Sequence, residues 1–166
     1  MPADFLHLLQ RDHCDLQQEL TRLLDPTATV AELRSSLDGV RLGLIAHAEA
    51  EDIVLSRFEA IPALQILVTQ ARAAHLSQEG ALSALVTARP GTTGWRERAR
   101  RLRDLVAYHG QQEETLLVPA LREHVPAGEL QGLAGAFATE RLRQLAMLQP
   151  SAPAFGPFSL AEAGAF

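Results

Sequence analysis

Four histidines in this chain stand as two copies of one spacing, and that spacing constrains the fold more than anything else in it. His13 and His47 are 34 residues apart, and so are His75 and His109. The second pair follows the first by 62 residues, and Glu51 and Glu113 obey the same shift. Each glutamate lies four residues after its histidine, in His47-Ala-Glu-Ala-Glu51 and His109-Gly-Gln-Gln-Glu113. On a helix, positions i and i+4 share a face about one turn apart, so each motif aims an imidazole and a carboxylate at one place. Histidines and carboxylates repeated at helical spacing are what a helical bundle needs to hold metal in its core.

Composition agrees with helices. Of 166 residues 47% are hydrophobic, chiefly leucine and alanine, which favour helix. Aromatics are only 5%, which argues against a β-sandwich or barrel. The length is that of one domain able to bury a real core. All 15 basic residues are arginine, and the net charge of −5 gives no reason to expect nucleic-acid binding. The single Cys14 excludes an internal disulfide and fits a reducing compartment. No basic segment precedes an apolar stretch at the N-terminus, and no apolar run approaches the ~20 residues of a membrane span. The expectation is a soluble, cytoplasmic protein.

The pattern predicts a first helix over Asp4 to Leu24, with Phe5, Leu6, Leu9, His13, Leu16 and Leu20 as its stripe. Thr29-Val-Ala-Glu32 reads as a capping box opening a second helix that continues to Phe58. Pro62 suits the first turn of a third helix ending near Ala88, and Pro90-Gly91-Thr92-Thr93-Gly94 is a loop. The fourth helix runs from Trp95 to Glu123 with a kink at Pro119. Pro126 starts a fifth that fades near Met147, and residues 149–166 form an extended Pro/Ala-rich tail. The expected organisation is a four-helix bundle over 1–124, an added helix packed on it over 125–148, and the tail.

Short loops imply an up-down antiparallel bundle, which can be tested for level. His47, His75 and His109 each lie about 13 residues from the neighbouring helix ends, so they share one depth. His13 fits less well: about 11 residues from the end of its helix, against about 17 into the next, a discrepancy of roughly 9 Å.

A lone histidine on an apolar helix face is usually a hydrogen-bonded core residue. The joint pattern weighs against that reading here. With 13 glutamates in the chain, a histidine finds one at i+4 about one time in thirteen, yet His47, His75 and His109 all do. That is on the order of a 1% coincidence. Burial of four imidazoles and two carboxylates would cost several kcal/mol per ion, and a pair of cations removes the objection. The other candidates read as structural: His7 at the surface, His124 at a helix C-terminus, Cys14 and Tyr108 in helix packing. The arginines from Arg96 to Arg103 read as a solvated face, with a partner-binding patch as the alternative.

At these residues the chain resembles the hemerythrin-like (HHE cation-binding) family, over about residues 4–124. The family's repeated block appears as His47…Glu51-Asp52-Ile53-Val54-Leu55 and again as His109…Glu113-Glu114-Thr115-Leu116-Leu117-Val118-Pro119, with Asp12-His13 as the opening. The resemblance implies a non-haem centre of two irons, bridged by carboxylate and by oxo or hydroxo, with another divalent metal as the alternative. His13 and His47 would serve one iron, His75 and His109 the other, and Glu51 and Glu113 would bridge. Ferritin-like di-iron proteins use Glu-x-x-His instead, and none of the six histidines has a glutamate three residues before it. Oxygen-carrying hemerythrins place a second histidine four residues on in the third helix; here that place holds Glu79, as a seventh ligand or as a hydrogen-bonding neighbour. More carboxylate favours ferric iron, which argues against reversible oxygen carriage. The implied ligand is oxygen, nitric oxide or hydrogen peroxide, in oxidative or nitrosative stress or in oxygen or iron sensing. An enzyme of this kind would consume peroxide or nitric oxide. The alternative is a non-catalytic sensor whose metal-dependent folding is read by a second copy or a protein partner, through the fifth helix and tail.

Overall fold

The computed structural model describes residues 5–149. Of the expected tail over 149–166, residues 150–166 lie outside the described residues. Six α-helices follow in order: α1 (Phe5–Arg22), α2 (Val30–Leu55), α3 (Pro62–Val86), α4 (Thr93–Gln112), α5 (Val118–His124) and α6 (Ala127–Leu148). The first four pack in a closed cycle, each against its two sequence or cyclic neighbours, as an up-down bundle requires. No strand occurs among the described residues. No described helix is long and apolar enough to cross a membrane.

Local chemistry explains the boundaries. Thr29 caps α2 in a complete capping box, its hydroxyl accepting from the Glu32 amide while Glu32 accepts from the Thr29 amide at 2.7 Å. The last expected turn of that helix is instead a 3-10 turn over Ser56–Phe58. Pro62 opens α3, and Thr92 caps α4 through the Trp95 amide. Gly91 precedes that cap at φ 81°, a left-handed conformation that favours glycine.

The expected single fourth helix is divided. A π-helical turn over Glu113–Leu117 separates α4 from α5, with the Val118 amide donating to the Glu113 carbonyl five residues back. Pro119 is the physical cause: it has no amide to donate to Thr115, and its ring crowds that carbonyl. The wider turn relieves the crowding without breaking the helix.

Two apolar clusters fill the bundle. Phe5, Leu9, Val54, Phe58, Leu64, Leu117, Leu121 and Phe137 belong to the one near the α1 N-terminus. Leu16, Leu20, Val40, Leu44, Leu82, Leu85, Trp95 and Leu102 belong to the other. Each such side chain contributes about 1.5–3 kcal/mol when fully buried. Between the clusters lies a polar layer. His13 falls between Leu9 and Leu16, His47 between Leu44 and Val54, and His75 and His109 sit at the matching places on α3 and α4.

The anticipated mismatch at His13 resolves in the first connection. His13 is 9 residues from the end of α1 and His47 is 17 from the start of α2, yet their rings stand 5.1 Å apart. The loop of residues 23–29 climbs the difference, roughly 12 Å of helix. The overhang of α2 is used: Leu33 packs against the loop between α3 and α4, with its Cδ1 beside Gly91. Outside the bundle, α6 lies across α2 and α1, not across α3 and α4.

Candidate metal centre

Six of the seven sequence-predicted residues meet in the polar layer. His13, His47, Glu51, His75, His109 and Glu113 are all buried, with Glu51 at 0% exposure. They form two overlapping groups of donors: His47, Glu51, His75 and His109, then His13, His47, Glu51 and Glu113. Within each group the donor atoms all lie within 4.8 Å of one another. His13 Nε2 is 2.9 Å from Glu113 Oε2, and His109 Nε2 is 3.0 Å from Glu113 Oε1. Glu51 Oε2 stands 3.3 Å from His47 Nε2 and 3.9 Å from His75 Nε2, and the Nε2 atoms of His75 and His109 face each other at 2.9 Å.

The Nε2 atoms of His75 and His109 share a hydrogen bond; the other donors make none. The Nε2 atoms of His13 and His47 and all four carboxylate oxygens of Glu51 and Glu113 are buried with no hydrogen-bond partner. Leaving such groups unsatisfied costs several kcal/mol each. Donors held about 2.1 Å from one ion are roughly 3–4 Å from one another, which is the separation seen. The donor set fits a cation.

The outward-facing nitrogens are held as a metal site requires. His47 Nδ1 donates to Asp12 at 2.9 Å, His75 Nδ1 to Asp52 at 3.0 Å, and His13 Nδ1 to Glu114 at 3.4 Å. In that tautomer each Nε2 turns a lone pair inward. The contacts follow the repeat, since Asp52 and Glu114 each come directly after a buried glutamate. Asp12 has Ala74 as its repeat counterpart, so His109 lacks the matching carboxylate.

The electrostatics differ among the donors: burial lowers the His13 pKa, but Glu113 and Glu114 outweigh it and hold it above its ordinary value. Burial pushes the His47 pKa down, keeping the ring neutral and its lone pair available. Burial, then the charge of Glu113, pushes the Glu51 carboxyl well above its usual range. Burial opposes the charged form of Asp12, but His47 and Arg141 outweigh it and hold its pKa below normal.

Glu79 is not brought into the cluster. It is exposed on the rim of a cleft between α2 and α3, while its neighbour Gln78 turns into the core at 1% exposure. Both polar atoms of Gln78 lack a partner. The buried stripe of α3 runs Leu64, Val68, Ala71, His75, Gln78, Leu82, Leu85, at three- and four-residue steps. That spacing was the signal for Gln78, three residues after His75.

Among the structural readings, Cys14 departs from expectation: it is exposed, as its rotation from His13 on α1 dictates. Tyr108 is exposed too, at the mouth of a cleft of about 260 Å³ whose lining includes His109 and Glu113. Within the arginine run, Arg98 donates to the Ala84 carbonyl at the end of α3 and Arg103 pairs with Asp104.

Buried imidazoles and carboxylates converging in the core of an up-down helical bundle define a metal-binding bundle protein. Comparison with known families matches residues 4–121 to the hemerythrin HHE cation binding domain, and the chain belongs to that family. Comparisons with curated proteins and with solved structures gave no significant match.

Proposed function

We propose that this chain is a non-haem di-iron protein whose centre binds or reacts with a small ligand: oxygen, nitric oxide or hydrogen peroxide. The observation that carries the reading is the set of orphaned donor atoms in two overlapping groups. His13, His47, Glu51 and Glu113 would hold one ion and His47, Glu51, His75 and His109 the other, with His47 and Glu51 common to both groups. When bound, iron supplies Lewis acidity and one-electron redox chemistry toward the ligand.

The chain's own residues do the rest. Asp12, Asp52 and Glu114 hold three imidazole rings in the tautomer that points Nε2 inward. The two apolar clusters keep bulk water from both ends of the layer. The cleft beside Tyr108 reaches His109 and Glu113 and offers a small ligand the route in. Glu79 is left as a polar residue of the neighbouring rim.

A second reading, a non-catalytic sensor whose metal state is read by a partner, is favoured by one contact. The α6 residue Phe137 stands edge-on to His47 with ring centroids 6.1 Å apart, so a metal donor touches a peripheral helix.

The test is anaerobic purification, iron measured per chain, and absorption recorded as air is admitted. About two irons per chain with ferric charge-transfer bands supports the proposal. Consumption of excess peroxide or nitric oxide selects the enzyme; a single stoichiometric change selects the sensor. Absence of iron uptake on reconstitution would sink both.

A further inference from the structure

The helix α6 lies beyond the family match, which ends at residue 121, yet two of its side chains converge on one metal donor. Phe137 packs edge-on to the His47 ring at an interplanar angle of 83°. One turn later, Arg141 closes a two-pronged ion pair on Asp12, Nε to Oδ2 at 2.8 Å and Nη2 to Oδ1 at 2.6 Å. Asp12 Oδ2 in turn accepts from His47 Nδ1 at 2.9 Å. Phe137 and Arg141 are four residues apart, so they share a face of α6.

We propose that α6 is a working part of the metal centre, with Arg141 acting through Asp12 as a positioning residue for His47. The inference rests on the reading of the cluster as a metal site. A carboxylate gripped by one partner can still rotate; the planar guanidinium fork fixes its plane and the direction in which it meets the imidazole. The other outer carboxylates are held more loosely. Asp52 and Glu114 are 33% and 39% exposed against 8% for Asp12, and Arg72 comes only within 3.9 Å of Asp52. The second half of the repeat has no counterpart among the described residues, because Ala74 stands where Asp12 would and α6 packs chiefly on α2 and α1. The bundle supplies two near-equivalent halves, and α6 singles out His47.

Such a link acts in both directions. If docked α6 improves the geometry of His47 for metal, metal must stabilise docked α6 by the same factor. The C-terminal helix thereby reports the state of the centre.

Amide hydrogen exchange over residues 127–148, in the apo and iron-loaded full chain, tests this, with iron titrations of wild type, R141M, R141K and D12N. In wild type, iron should slow exchange in α6 by about five- to 150-fold, the size usual for linked sites. R141M and D12N should bind iron about 10–100-fold more weakly, the usual effect of removing an outer partner, and lose most of the slowing. R141K retains charge without the fork and falls between. If R141M already frays α6 without metal, D12N and R141K carry the comparison. Wild-type α6 indifferent to iron, or D12N and R141K with wild-type affinity, overturns the inference while the metal reading stands. Failure of the wild type to take up iron overturns both.

Discussion

Adding one methyl group at Gly110 should separate metal binding from stability. A Cβ there would sit 3.1 Å from His13 Nδ1 and 3.2 Å from its Cγ. Comfortable contacts between such atoms are about 3.5–4.0 Å, so the ring must yield by roughly 0.4 Å. The backbone gains, since alanine favours helix interior over glycine by about 0.5–1 kcal/mol. The apo protein should therefore keep its stability within about 1 kcal/mol. Metal–ligand distances tolerate only about ±0.2 Å, half of the imposed shift. Glu114 holds His13 at a long 3.4 Å and gives it little to pivot on. We expect Gly110→Ala to weaken iron binding at least about tenfold, which is 1.4 kcal/mol, and to lose first the ion nearest His13. Denaturation of the apo protein and anaerobic iron titration measure the two effects. Two irons bound at wild-type affinity would show that α1 and α4 part to make room, and that the ring is not pinned.

Other perturbations separate the site from the scaffold. Glu51→Gln removes a fully buried carboxylate whose pKa burial already raises; thermal melting should find the apo protein more stable, while calorimetry finds iron binding abolished. At iron about a thousandfold above its Kd, binding adds about 4 kcal/mol, so chelation should lower Tm by about 8–16 °C for a chain of this size; an unchanged Tm would mean that the cluster is structural. Asp12 has a folded pKa below its ordinary 3.8, so its stabilisation is present above that value and is lost as pH falls through the folded pKa. Asp12→Asn should accordingly flatten the acid limb of apo stability. Thr29→Ala removes the α2 cap and should cost about 1 kcal/mol in denaturant melts with iron binding unchanged.

What was legible in the residues is what helix geometry alone decides. Local hydrogen bonds fix the i to i+4 relation, so the pairs His47 with Glu51 and His109 with Glu113, and the Thr29–Glu32 cap, follow from spacing. The repeat then carried the argument from two motifs to one layer, because equal offsets on antiparallel helices bring side chains to equal depth. Pro119 announced a disturbance by its missing amide, though not that a π-helical turn would absorb it directly after Glu113.

Only tertiary packing chose the rotation of each helix about its axis. A turn of about 100° separates Gln78 from Glu79, and the fit of α3 against its neighbours sent the amide inward and the carboxylate to solvent. The outer contacts are likewise products of the fold: Asp12 reaches His47 across 35 residues of chain, and Arg141 reaches Asp12 across 129. No local rule relates residues so far apart. The chain by itself determined which donors exist and that helices would level them; the packed bundle, with α6 laid against one half, decided which rings are gripped and from where.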